Sequence, residues 1–225
     1  MSYSPSISVV IPAFNAERFL AAAVDSIQRQ EHQQTEIIIV DDGSTDRTLT
    51  IAQGLGGIRF LTQANAGSGA ARNAGIALAR GELLAFLDAD DLWTQDKLAQ
   101  QLTVLKRRPE IDLVGGKVEQ FFDPGYSAPP GASPPPTAEA YCAGSALIRR
   151  GAFDRVGGFR TDLKVGEYLD WHSRAFSCGL GMLALPHVVL RRRIHGSNSV
   201  LRHRGEYSNY LSVLRSHLAR KRQAA

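Results

Sequence analysis

Two acidic clusters in this chain stand where apolar runs end. Asp41 and Asp42 follow the β-branched run at 37–40, and Asp88, Asp90 and Asp91 stand in FLDADDLW (86–93), three carboxylates in four positions with apolar residues on both sides. Apolar flanks imply burial, and unpaired carboxylates resist leaving water. Crowded carboxylates also repel one another, so a cation or a set of hydrogen-bond donors must compensate. Hard divalent cations take carboxylate oxygen and commonly bridge to substrate phosphates. An Asp-x-Asp just after a strand can offer one or both side chains to such an ion. The same spacing also suits helix capping by Asp91 or Thr94. A third candidate is basic: RRRIHGSNS (191–199) puts three arginines before a histidine and a polar loop, the makings of an anion site. Side chains alternate along a strand, so at most two of Arg191, Arg192 and Arg193 can serve one anion together.

The elements that must position these residues are legible from hydrophobic period. Residues 8–11 form a β-branched run ended by Pro12. Phe19, Leu20, Ala23, Val24 and Ile27 follow at helical spacing, with Asn15 as the expected cap. Further strands are expected at 37–40, 58–61, 83–87 and 113–122. Helices are expected from about Asp46, at 70–80 and at 95–107. Strands apolar throughout and separated by helices imply a parallel sheet covered on both faces. Ligands of such sheets sit beyond the carboxyl ends of the strands, where both acidic clusters fall. The glycine-rich segment at 66–69 opens the third helix. Its glycines suit either close approach to a ligand or a turn with tight helix packing. A stretch rich in proline, 123–136, reads as a stiff extended loop. The tail from 206 to 222 carries Tyr207, Tyr210, Leu211, Leu214 and Leu218 at helical spacing, with a basic opposite face.

Composition bounds the rest. With 225 residues, 44% of them hydrophobic, the chain can bury a substantial single core. Its formal charge of +4 is spread along the chain except at the tail, where Arg202, Arg204, Arg215, Arg220, Lys221 and Arg222 cluster. That balance fits an anionic ligand or a membrane surface and is no nucleic-acid signature. Two cysteines, Cys142 and Cys178, make no disulfide framework and match no zinc spacing, which favours a reducing, cytoplasmic compartment. Residues 1–8 lack a signal-peptide n-region, and no apolar run reaches the roughly 20 residues that span a bilayer.

Four segments in fixed order, SVVIPAFNAERFL, EIIIVDDGSTDRT, AGSGAARNAGIALARGE and FLDADDLW, resemble the successive signatures of glycosyltransferase family 2. The resemblance is close over residues 6–107, and GEYLDW with RRRIHGSNS extends it to about 199. It implies a GT-A fold: a Rossmann-like, three-layer α/β/α arrangement with a mainly parallel central sheet. It also implies a bacterial, inverting, metal-dependent transfer of a sugar, from a nucleotide-sugar donor to a glycan, lipid-linked or other hydroxyl acceptor. UDP is the expected nucleotide and Mn²⁺ or Mg²⁺ the expected ion. The whole of 1–225 is expected as one domain. Residues 1–110 would form the nucleotide-sugar-binding half, 111–200 the acceptor and catalytic half, and 201–225 a basic C-terminal helix, expected to pack on the domain and close the late loop, with peripheral contact at the inner face of a membrane as the alternative.

The resemblance also assigns roles. Pro12, Ala13, Phe14 and Asn15 are expected against the nucleoside, with Glu17 nearby and Asp42 accepting from the base. Asp88 and Ala89 are expected near ribose and diphosphate, and Arg72 and Asn73 near the donor. Asp90 is the expected metal ligand, with His195 reaching the metal or diphosphate from a late loop. Family members often carry Glu-Asp after a glycine, where this chain has Gly166, Glu167 and Tyr168. Glu167 is therefore the first candidate for the base that deprotonates the acceptor, and Asp170 the second. The departure at Tyr168 keeps open a catalytically impaired donor-binding module. A sugar nucleotidyltransferase is a further alternative. Its usual glycine-rich loop with Arg and Lys after the first strand is absent, the stretch here being Pro12-Ala13-Phe14-Asn15-Ala16.

Overall fold

A computed structural model of the chain describes residues 5–139, 142–198, 209 and 211–217. The elements are β1 (Ile7–Ala13), α1 (Leu20–Gln28), β2 (Thr35–Asp41), α2 (Thr48–Gly54), β3 (Ile58–Thr62), α3 (Ser68–Leu78), β4 (Leu83–Phe86), β5 (Leu92–Trp93), α4 (Lys97–Arg107), β6 (Leu113–Phe122), β7 (Ala138–Glu139), β8 (Leu147–Arg149), α5 (Arg150–Val156), α6 (Glu167–Ser177) and β9 (Met182–Ile194). A short 3-10 turn, Ala143–Ser145, precedes β8.

The strands form one curled sheet in the order β3-β2-β1-β4-β8-β6-β9-β5, with β7 paired to β6. The apolar runs of the first half are parallel neighbours: β1 pairs with β2 and β4, and β2 with β3. Strict alternation splits each strand between two cores. Val9, Ile11, Ile37, Ile39, Leu83 and Ala85 face a layer built from α1, α2 and α4. Val10, Ile38, Val40, Leu84 and Phe86 face Ala71 of α3, Phe153 of α5 and Trp171 of α6. Each fully buried Leu, Ile or Phe here contributes roughly 1.5–3 kcal/mol. This is the expected three-layer α/β/α arrangement.

The sheet departs from a uniformly parallel one at β8, which runs antiparallel between β4 and β6. β6 and β9 are parallel, and β5 lies antiparallel on β9. Both halves of the chain therefore share one sheet. β5 pairs Leu92 with Arg191 and Trp93 with Leu190. That register lays the Asp88–Asp91 segment beside the end of β9.

Three local expectations are corrected. Asn15 does not cap α1, whose helix starts only at Leu20. Asn15 sits at φ +50°, and its Oδ1 instead accepts from the Thr45 N–H at 2.8 Å. α4 begins at Lys97 rather than at 95, and neither Asp91 nor Thr94 caps it. Gln30 does so from α1's end, its Oε1 accepting the Leu98 N–H at 3.1 Å. Of the tail, only Asn209 and residues 211–217 are described. The latter are helical, and His217 Nδ1 lies 2.7 Å from Ser173 Oγ on α6. The remaining basic cluster lies outside the described residues. No helix among the described residues is long and apolar enough to cross a membrane.

Candidate active site

The carboxyl ends of β1, β2 and β4 lie side by side, and a cleft of about 500 Å³ opens beyond them. Pro12, Ala13, Phe14 and Asn15 form one wall, and Asp88, Ala89, Asp90 and Asp91 the next. Ser68 and Arg72 of α3, Glu167 and Tyr168 of α6, and Arg192 and His195 of the β9 end close it. Phe14 is left 40% exposed, so its ring is free to meet a flat ligand.

Within the cleft, Arg72 joins two carboxylates. Its side chain is buried; Nη2 lies 2.5 Å from Asp88 Oδ1, and Nη1 contacts Glu167 Oε1. Burial works against its charge, but Asp88 and Glu167 outweigh that and raise its pKa. Ser68 Oγ also donates to Glu167 Oε1, at 2.8 Å. Glu167 is thus anchored through one oxygen. Asp91 is buried at the cleft's back, and its Oδ1 accepts the Arg193 N–H at 2.8 Å. Burial, reinforced by the Asp90 and Asp88 charges, pushes its pKa well up.

Asp90 and His195, 105 residues apart, meet with Oδ2 and Nε2 at 2.9 Å. Asn198 Nδ2 donates to the same oxygen at 3.3 Å and Asn198 Oδ1 accepts the His195 N–H at 2.6 Å, so the late loop is tied to both. These two side chains fit a divalent ion. An octahedral ion with bonds of about 2.1 Å holds adjacent ligands about 3 Å apart, and such ions typically take one or two protein ligands plus phosphate and water. His195 Nδ1 lies 2.8 Å from Ser197 Oγ. With Nε2 turned to a metal, Nδ1–H would donate to that hydroxyl and fix the ring. Among the described residues no cluster of three or more His, Cys, Asp or Glu side chains that could hold a metal is found.

Asp42 lines the cleft, and its carboxylate already accepts from Gln63 Nε2, the Ala66 N–H and the Gly67 N–H at 2.7–2.9 Å. It therefore orders the glycine-rich segment and keeps about one acceptor position for a ligand. Gly69 serves packing, since a Cβ there would stand 2.7 Å from the Arg160 carbonyl oxygen, whereas Gly67 takes φ +88° with open space beside it.

Three expected site residues do not line the cleft. Glu17 is engaged by Arg47, whose backbone N–H and Nε donate to Oε2 at 3.1 and 3.2 Å. Asn73 turns away from the cleft to the Phe159 backbone, with which its amide exchanges hydrogen bonds of 2.8 and 2.9 Å. Asp170 is 1% exposed under α6 and receives Arg174 Nε at 2.8 Å. It lies one turn along α6 from Glu167 on nearly the same face, so burial and the bond to Arg174, not the helix face, keep it out of the cleft. Sequence reasoning missed Lys164 and the 142–144 segment, which also line the cleft. A lone loop lysine and a small-residue turn give no pattern to find. Of the three arginines only Arg192 reaches the cleft. Arg191 pairs with Glu119 at 2.6 Å and Arg193 lies behind Asp90.

Solved structures place this arrangement in a class. The chain superimposes with a TM-score of 0.74 on the mannosyltransferase PcManGT from Pyrobaculum calidifontis, in complex with GDP-Man and Mn²⁺, at 19% identity over 97% of this chain and 65% of that one. It matches S. aureus TarS 1-349 in complex with UDP-GlcNAc with a TM-score of 0.70, at 19% identity over 86% of this chain and 60% of that one. The fold is that of the GT-A glycosyltransferases. The chain belongs to the family described as Glycosyl transferase family 2, whose model matches residues 8–157. The amylovoran biosynthesis glycosyltransferase AmsB of Erwinia amylovora is 38% identical over 109 residues, 45% of this chain and 36% of that one. The chain spans less than half the length of the curated relatives it matches.

Proposed function

We propose that this protein transfers a sugar, with inversion, from a UDP-sugar to an acceptor hydroxyl in polysaccharide assembly, using Mn²⁺ or Mg²⁺. The observation that carries the reading is the meeting of Asp90 and His195 in the cleft that also holds Asp88, Arg72 and Glu167. Family membership, the donors in the PcManGT and TarS complexes and the biosynthetic role named for AmsB support it.

In this reading the nucleoside lies against residues 12–15, with the free acceptor position of Asp42 taking the base N–H. Asp90 and His195 would hold the ion, which would supply positive charge against the leaving diphosphate. Arg192 and Lys164 add fixed positive charge on the same cleft wall. Glu167 is anchored by Arg72 and Ser68 through Oε1, so Oε2 is the oxygen left to take the acceptor's proton. Attack then comes from the face opposite the diphosphate. Free Cys142 and Cys178 support a cytoplasmic setting. The tail's packing on α6 leaves Leu211 and Leu214 exposed, which supports peripheral contact with a membrane.

A thermal-shift panel of nucleotides and nucleotide-sugars, with and without Mn²⁺, tests the reading. A ligand at a hundred times its Kd adds about 2.7 kcal/mol of apparent stability. UDP-sugars are expected to stabilise the protein with Mn²⁺ present, and Asp90→Ala to lose the metal-dependent part. Shifts that ignore the metal in the unmodified chain would overturn it. Tyr168, with its ring centroid 6.0 Å from that of Trp171, stands where the family resemblance leads to an expected carboxylate and favours a second reading of donor binding without turnover. Donor hydrolysis by the unmodified chain, absent in Glu167→Gln, excludes that one.

A further inference from the structure

Beside the cleft, side chains from the turn before α1, from β6 and from β9 stack in alternation. Arg191 lies over Phe121 at 4.8 Å, and Arg193 over the same ring at 4.8 Å. Arg193 also lies 5.0 Å from the Phe19 ring, and Arg18 lies 4.9 Å from that ring. Phe19 in turn packs against the His195 imidazole, centroids 4.6 Å apart. The centre of this stack is Arg193, held between two aromatic faces and 11% exposed.

Arg193 places its Nε, its backbone N–H and its carbonyl on the two loops that carry the candidate metal ligands. Its Nε donates to the Asp90 carbonyl oxygen at 3.0 Å, and its backbone N–H to Asp91 Oδ1 at 2.8 Å. Its own carbonyl accepts from Asn198 Nδ2 at 3.0 Å. Its Nη1 donates to Asp123 Oδ1 at 3.1 Å, and Asp123 Oδ2 receives Arg18 Nη2 at 3.0 Å. The side chain does not line the cleft.

We propose that Arg193 is a positioning residue that holds Asp90 and His195 at metal-binding separation. The inference rests on the proposed role of those two side chains as metal ligands. The physical reason is geometric. Asp90 and His195 sit on separate loops. Asn198 ties the Asp90 carboxylate to the His195 N–H, and Arg193, two residues before His195, bonds the Asp90 carbonyl, Asp91 and Asn198 and so fixes the two loops relative to one another before an ion arrives. A planar guanidinium does this while wedged between two rings; a lysine ammonium has neither the fork nor the flat face. Partners of this kind typically change metal affinity 10–100-fold.

The test compares UDP binding by calorimetry with and without Mn²⁺, with GDP in parallel, in the unmodified chain, Arg193→Met, Arg193→Lys and Asp123→Asn. The tightening of nucleotide binding by Mn²⁺ is expected to fall tenfold or more in Arg193→Met, less in Arg193→Lys and Asp123→Asn. Metal-free nucleotide binding is expected to stay unchanged, because none of Arg193's hydrogen bonds reaches residues 12–15 or Asp42. Asp123→Asn keeps the stack, so it reports even where Arg193→Met fails to fold. Full Mn²⁺ enhancement in folded Arg193→Met, or equal loss of metal-free and metal-dependent binding, overturns the inference alone. An unmodified chain that binds nucleotide without any response to Mn²⁺ overturns the metal reading, and the inference with it.

Discussion

Lys97 opens α4 yet is completely buried, and it has no carboxylate partner among its bonds. Its Nζ donates to Gln101 Oε1 at 2.7 Å and to the Ala146 carbonyl at 3.4 Å, and lies 4.3 Å from the Trp93 ring centroid. Gln101 Nε2 bonds Val114 and Ser145 carbonyls, and Trp93 Nε1 the Gly144 carbonyl, so this buried group braces the turn that lines the cleft. Burial lowers the Lys97 pKa from 10.5 to about 7, with Cys142 opposing slightly. The unfolded chain therefore binds a proton that the folded chain releases between about pH 7 and 10.5. Stability must rise with pH in that window, by about 1.4 kcal/mol per unit and about 5 kcal/mol in all. The substitution that exposes this is Lys97→Met, which keeps the packing on Trp93 and cannot titrate. It leaves Gln101 Oε1 without a donor, at a cost of about 1–3 kcal/mol that does not vary with pH. Between pH 7 and 9, urea unfolding should show the unmodified chain gaining about 2–3 kcal/mol more than Lys97→Met. Cys142, which burial pushes up to about 11 from 9, titrates above most of that range in both chains. At about 2–4 °C per kcal/mol the difference is 4–12 °C in Tm. Parallel pH profiles would show that Lys97 stays charged when buried, and the reasoning would fail.

The other expectations separate chemistry from support. Glu167→Gln should lower turnover by about 10²–10⁴ with donor affinity unchanged, read as a kcat effect in donor hydrolysis or transfer. Asp170→Asn should instead cost about 1–3 kcal/mol in urea unfolding, through its lost charge-assisted bond to Arg174, and leave kcat near that of the unmodified chain; the opposite pattern would make Asp170 the base. Asn73→Ala should lose about 1–3 kcal/mol of stability without altering UDP affinity, and tenfold weaker UDP binding would return Asn73 to the site. Gly75→Ala should destabilise by about 1–3 kcal/mol. Its Cβ would stand 2.3 Å from Val10 Cγ1, which outweighs the ~1 kcal/mol helix-propensity gain; a higher urea midpoint would refute this.

Much of the first half was legible because parallel strands buried on both faces read as unbroken apolar runs, and helices read as 3.6-residue spacing. β1, β2 and β4, the strand-end clusters and the approximate helices all follow from period alone. Cap positions did not: Gln30, from beyond the end of α1, serves α4, and Asn15 is engaged by the Thr45 N–H while α1 takes no side-chain cap. Residue type and spacing pointed to Asp88 and Asp90, because carboxylates after buried strands need compensation, while Glu167 followed only from the family resemblance. They could not determine that Arg72 supplies it, that Asn73, one residue on, faces away, or that Asp170 is sealed beneath its helix. Facing is set by a helix's rotation on the sheet, and that rotation comes from packing of Ala71, Gly75 and Trp171 against strands distant in sequence. Only the tertiary structure brings Asp90 to His195. Their meeting depends on β5 lying antiparallel on β9, a two-residue pairing across about a hundred residues that local sequence does not encode.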